Sequence, residues 1–226
     1  MSPKTAVIIG ASRGIGLELA KYLSEEPESR VVATMRKPFA MASPNIQVLQ
    51  LDQTDSGSVE RAALQVPEAD ILIVNGAMGE DEHLTTISSE RFAEYLLTNV
   101  VGPHRVINAF LPALRARKTR TIVYISSIVA SLTKEVGSHW GLQGPYATSK
   151  AAGNMMTVQF HNELQGEGFT VVAVHPGWVA TDMGNLAGPG AMPPRESVEK
   201  IMRIVDGLKL EDGAKFFDID GSTFPY

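Results

Sequence analysis

Short apolar, β-branched runs recur along the chain: Thr5 to Ile9, Arg30 to Thr34, Ile46 to Leu49, Ile71 to Val74, Thr121 to Ile125, Thr170 to Val174 and Lys215 to Ile219. Most are apolar at every position rather than at every second one, which is the pattern of strands covered by helices on both faces. Between them, apolar residues three and four apart predict helices at about 15 to 26, 56 to 65, 88 to 116, 145 to 165 and 196 to 208. This alternation predicts an α/β fold with a doubly wound, parallel, seven-stranded sheet and helices on both faces. Pro103 falls inside the longest helical segment and predicts a bend there, because proline has no N–H and crowds the preceding turn. The stretch Gly184 to Arg195, with Pro189, Pro193 and Pro194, reads as a mobile loop over the carboxyl edge of the sheet.

Composition narrows the picture. The 226 residues, 44% hydrophobic and 20% charged, suit one compact domain spanning 1 to 226. A formal charge of -5 without any Lys/Arg block argues against nucleic acid as a partner. The longest apolar runs fall far short of the roughly 20 residues that span a bilayer, so no membrane association is expected. No basic leader precedes the first strand, and there is no cysteine, which excludes disulfides and thiol chemistry; both fit a cytoplasmic protein. The five histidines never fall at ligand spacing on one element, so no metal site is expected.

The first strand runs into Gly10-Ala11-Ser12-Arg13-Gly14-Ile15-Gly16 and then into an amphipathic helix. Glycines at such a turn let the backbone approach a pyrophosphate, whose charge is favoured by the free N–H groups and dipole of the helix N-terminus. Gly10, Ser12, Arg13, Gly14, Ile15 and Gly16 are therefore candidate dinucleotide-binding residues of a Rossmann-type fold. The second strand ends in Thr34-Met35-Arg36-Lys37, with no carboxylate for a ribose 2′-hydroxyl and two cations instead. Arg36, with Arg13, can grip a 2′-phosphate, which favours NADP(H) over NAD; the plainer alternative is that Arg36 and Lys37 are solvated loop charges.

A second cluster is Tyr146-Ala147-Thr148-Ser149-Lys150, opening a helix so that Tyr146 and Lys150 share a face. A tyrosine titrates near pH 10 and becomes a better acid–base group when a cation such as Lys150 favours its ionised form. Ser127, at the end of the fifth strand in Tyr124-Ile125-Ser126-Ser127, can donate to a carbonyl oxygen, with Ser126 as the competing candidate.

The glycine spacing, the serine at a strand end, the Tyr-x-x-x-Lys pair and the run His175-Pro176-Gly177-Trp178-Val179-Ala180-Thr181-Asp182 together resemble the short-chain dehydrogenase/reductase (SDR) family from Thr5 to about Asp220. Within it the chain is similar to the branch of C-factor-like proteins, small carbonyl reductases and norsolorinic acid ketoreductase-like enzymes. The resemblance implies that Asn99, Ser127, Tyr146 and Lys150 are catalytic, with Asn99 holding a water in the proton path and the second serine of the pair as the active one. It also implies that Asp52 lies near the adenine amino group and Asn75, Gly76 and Ala77 lie against the adenosine ribose, although Asn-Gly-Ala departs from the family's usual Asn-Asn-Ala-Gly. Pro176, Gly177, Val179 and Thr181 would hold the nicotinamide half, and Tyr146 and Lys150 would also touch the cofactor. The implied activity is reduction of a ketone or aldehyde by NADPH with Tyr146 as proton donor. Trp140, Trp178, Met183 and the 184 to 195 loop would form a mostly apolar pocket suited to a hydrophobic or aromatic substrate.

Ser127 and Tyr146 are further apart than in many members, implying an insertion from Leu132 to Gly144, expected as a loop at the substrate mouth. His175 reads as a hydrogen-bonded structural residue. The family also implies a homo-oligomer, dimer or tetramer. Two rivals stand beside the reductase: a signalling or scaffold protein that only binds NADP, and an enzyme using bound NADP(H) without net redox change.

Overall fold

In a computed structural model, which describes residues 4–139 and 141–226, the seven expected strands form one parallel sheet in the order β3-β2-β1-β4-β5-β6-β7. They are β1 Lys4–Ile9, β2 Ser29–Met35, β3 Ile46–Gln50, β4 Ile71–Val74, β5 Thr121–Ile125, β6 Thr170–Val174 and β7 Phe216–Phe217. The helices are α1 Gly14–Ser24, α2 Ser56–Ala63, α3 Ser89–Leu96, α4 Gly102–Arg115, α5 Leu132–Glu135, α6 Gly144–Leu164 and α7 Pro194–Gly207.

Although the central strands are apolar throughout, their side chains divide between two cores. Val7, Leu72, Ile122 and Tyr124 pack with α2, α4 and α6 on one face. Ile8, Ile73, Val123 and Ile125 pack with α1 and α7 on the other. The order of successive strands reverses at β1, so that β4 lies on its other side, and ligands of doubly wound sheets bind at the crevice between them.

Four expectations change. The long helix predicted over 88 to 116 is two helices joined by a π-helical turn, Leu97–Val101. Pro103 lacks the N–H that would bond the carbonyl four residues back, that of Asn99, and the widened turn falls there. The segment from 132 to 144 is not all loop: Ser131 caps the one-turn helix α5 by accepting from the Lys134 N–H at 3.3 Å. Strand β7 ends at Phe217, because Asp218 opens a turn in which its N–H donates to the Ser222 carbonyl at 2.8 Å. Met192 bridges Val179 across the loop predicted over 184 to 195, and α7 takes over from Pro194. Among the described residues no helix is long and apolar enough to cross a membrane.

Candidate active site

A cleft of about 1720 Å³ follows the carboxyl edge of the sheet and takes in the glycine turn, the ends of β2 to β6 and the segment after β6. At one end lies the glycine turn. Gly10 has φ +81°, and a Cβ there would stand 2.6 Å from the Gly76 Cα. A Cβ on Gly16 would stand 2.1 Å from the Gly10 carbonyl oxygen. The first turn of α1 thus presses against the β1 and β4 exits, and among the described residues no side chain caps its N–H groups. Asn75 locks this apposition by donating from Nδ2 to the Gly10 carbonyl at 2.9 Å. Ser12, Gly14 and Ile15 line the cleft beside it. A bare backbone cradle at a helix N-terminus fits a pyrophosphate.

Around the cradle, the Asp52 Oδ1 accepts from the Thr54 N–H and hydroxyl at 2.9 and 2.7 Å. Arg36 is exposed at the cleft edge and has no ion-pair partner among the described residues. Arg13, expected to face a 2′-phosphate, lines the cleft and pairs with Asp182 at 2.6 Å, both side chains being about three-quarters exposed. Gly76 and Ala77 line the floor with Pro176, Gly177 and Val179, while the Thr181 hydroxyl accepts from the Gly184 N–H at 3.0 Å.

The second end carries the serine, tyrosine and lysine. Strand β5 delivers Ser127, and the helix α6 brings Tyr146 and Lys150 to the same floor. Ser126 is spent elsewhere: its hydroxyl is buried and donates to the Asn154 Oδ1 at 2.6 Å. Ser127 instead lines the cleft floor, close enough to the Tyr146 phenol to oppose in part the effect of burial on it. The Lys150 ammonium donates to the Ile125 carbonyl at 2.7 Å and lies 5.8 Å from the centre of the Tyr146 ring. Asn99 is fully buried in the π turn, accepting from the Met78 N–H and donating to the Met78 carbonyl and the Ser149 hydroxyl, each at 2.9 Å.

The protonation balance differs from the expectation that Lys150 pulls the phenol down. Burial pushes Tyr146 up to about 12, with the Ser127 hydrogen bond opposing, and pushes Lys150 down to about 7. Both groups are driven toward their neutral forms because each loses its hydration in the cleft floor. His175 behaves as expected of a structural residue: it is pushed down to about 4 by burial, and its Nδ1 accepts from the Ile128 N–H at 3.1 Å.

The expected substrate wall is partly met. Trp178 and Met183 line the cleft, and the Trp178 indole donates to the Gly184 carbonyl at 2.7 Å; Trp140 lies outside the described residues. Polar groups that sequence reasoning missed share the mouth, among them Asp81, His83, His139 and Gln143. Also missed was the clamp that holds this rim. Buried Tyr95 donates to Glu82 at 2.5 Å, and Arg91 donates to the same carboxylate at 3.1 Å. The clamp steadies the segment whose Gly79 packs on Tyr146, where a Cβ would stand 2.9 Å from the ring.

Comparison with known proteins gives matches along most of the chain. A family model described as short chain dehydrogenase matches residues 4–190. An uncharacterized oxidoreductase of Schizosaccharomyces pombe is 33% identical, the alignment covering 97% of this chain and 96% of that protein. The C-signal protein of Myxococcus xanthus is 38% identical over 70% of this chain and 92% of its own length. Among solved structures, the NADPH-bound carbonyl reductase from chicken fatty liver matches with a TM-score of 0.90 and 26% identity, each chain being covered in full.

Proposed function

Because the chain belongs to the short-chain dehydrogenase family, we propose that it is an NADPH-dependent reductase that turns the carbonyl of a small hydrophobic or aromatic ketone or aldehyde into an alcohol. One observation carries the reading: Ser127, Tyr146 and Lys150 converge on the floor of the cleft whose other end is a bare glycine cradle beside Arg36, which has no ion-pair partner among the described residues. The NADPH-bound state of the chicken reductase supports the choice of cofactor.

The cradle from Gly10 to Gly16 would hold the pyrophosphate, Arg36 the 2′-phosphate and Asp52 the adenine amino group. Bound NADPH would supply the electron pair as hydride. Ser127 donates to the carbonyl oxygen and fixes its direction. As negative charge grows on that oxygen, Tyr146 releases its proton to it, and Lys150 beside the phenol stabilises the resulting phenolate until a proton returns. A neutral phenol at pH 7 is the form this direction requires, and burial in the cleft keeps it neutral. Assembly as a homo-oligomer belongs to the same proposal and is checked by light scattering.

The test is Tyr146→Phe, which keeps the ring against Gly79 and removes only the hydroxyl. Turnover with ketones, quinones or aldehydes, followed by nicotinamide absorbance, should fall by about 10² to 10⁴ with NADPH affinity unchanged. Turnover within threefold of the parent would overturn the assignment. A protein that only binds NADP, as the signalling reading would have it, would oxidise NADPH with no carbonyl in the panel; the buried ammonium beside the buried phenol has no use in such a protein.

A further inference from the structure

Residue Tyr124 sits where β5 passes beneath α6, in a strand whose other members are aliphatic apart from Thr121 at its start. It is fully buried on the α4 and α6 face of the sheet. Three neighbours hold it. The Lys150 ammonium stands 4.7 Å from the centre of its ring. The phenol donates to the Asn99 carbonyl at 3.1 Å, the carbonyl that Pro103 has no N–H to satisfy. Gly153, one turn beyond Lys150, leaves the space the hydroxyl fills, since a Cβ there would stand 2.3 Å from the Tyr124 oxygen.

We propose that Tyr124 is a positioning residue of the catalytic site: its ring carries the Lys150 ammonium, its hydroxyl fixes the π turn bearing Asn99, and Gly153 exists in α6 to admit it. The catalytic part of this inference rests on the reductase reading; the placement of Lys150 does not. A glycine in the middle of a 21-residue helix costs stability relative to alanine, so a close approach by another group is the physical reason for it. A cation over an aromatic face is favoured, more strongly so when both are shielded from water. Around Lys150 the groups that can titrate are Tyr124 from β5 and Tyr146 from its own helix, and His175 at the β6 exit lies on the same cleft floor. Among the described residues no carboxylate is within ion-pair distance of it. The ring is therefore the main favourable partner of the charged form besides the Ile125 carbonyl.

The experiment labels lysine at Cε with ¹³C, assigns the Lys150 signal through Lys150→Arg, and follows its titration in the NADPH-binding protein. Replacing Tyr124→Leu removes the ring and should lower the midpoint by at least about half a pH unit. Tyr124→Phe keeps the ring and should leave the midpoint in place while releasing only Asn99. Gly153→Ala, whose methyl drives the phenol aside, should lower the midpoint as Tyr124→Leu does, and adding it to Tyr124→Leu should change nothing further. In turnover assays Tyr124→Leu should lower kcat about tenfold with KM within threefold. An unmoved midpoint in Tyr124→Leu overturns the proposal; if that variant does not fold, an unmoved midpoint in Gly153→Ala does so. Should the parent reduce no carbonyl while the midpoints move as stated, the placement stands and the reductase reading fails.

Discussion

Replacing Asn99→Ala removes more than a polar side chain. The amide satisfies both backbone groups of Met78 and reaches the Ser149 hydroxyl, three bonds of 2.9 Å from a fully buried position. An orphaned buried backbone group costs about 1–3 kcal/mol. Met78 itself is half-buried, so water can reach part of the defect. Two orphans therefore cost about 2–4 kcal/mol, against a total stability of about 5–15 kcal/mol. Ser149 keeps its own donation to the Tyr146 carbonyl at 2.7 Å and adds little to the loss.

The fold should survive, but the segment from Met78 to Gly79 loses its anchor, and Gly79 is what packs the Tyr146 ring. Misplacing a reacting group by about 1 Å can cost on the order of 10² in rate. Urea unfolding of the variant should show the stability loss with an unchanged slope, and kcat should fall by about 10- to 100-fold. In a double-mutant cycle with Ser149→Ala, the two changes should be non-additive by about 0.5 kcal/mol or more, since they share one hydrogen bond. An Asn99→Ala protein that unfolds at the parent's urea midpoint, or a cycle that closes additively, refutes the network as described.

Three further outcomes follow from the same structure. Arg36→Ala should weaken NADPH binding by about tenfold or more, the value of a charge-assisted contact, and leave NADH binding within twofold in a fluorescence titration; equal losses would remove the cofactor argument. Tyr95→Phe deletes the 2.5 Å bond to Glu82 and should lower Tm by about 2–4 °C, which a calorimetric scan would contradict by showing no change. His175 titrates near 4 rather than near its ordinary 6.5, so the folded state binds its proton less readily than the unfolded chain. Its contribution is whole above pH 6.5 and is lost as pH falls toward 4, on the order of 3 kcal/mol, and His175→Gln should flatten that limb of the urea-stability profile; parallel profiles would count against it.

Much of this was legible along the chain because of what each signal depends on. The strands could be read because burial on both faces leaves a local, continuous apolar run, as in Ile71–Val74. The glycine turn could be read because Gly10 and Gly16 meet the exits of β1 and β4, a constraint only glycine meets. By contrast, β7 was expected to be longer because Lys215 to Ile219 is strand-like in composition, whereas Asp218 and Ser222 close a turn through the backbone. The pairing of Arg13 was hidden for a similar reason: its partner Asp182 is distant in sequence and meets it only across the cleft.

The lysine and tyrosine show the same division at the level of chemistry. Sequence spacing puts Tyr146 and Lys150 on one helix face and suggests that the cation lowers the phenol. Burial outweighs that pull, since desolvation is the largest influence on both groups, while the ammonium also faces the Ile125 carbonyl and the Tyr124 ring. The signal that could have found Tyr124 lies in two places at once: a tyrosine in an otherwise aliphatic strand end, and a glycine in the interior of α6. Neither is unusual alone. Their meaning comes from β5 passing beneath α6, which sets the phenol in the notch that Gly153 leaves, under Lys150 and against the carbonyl freed by Pro103. A functional residue of this kind works through the positions of others, so the sequence shows its parts while only the packing shows that they form one device.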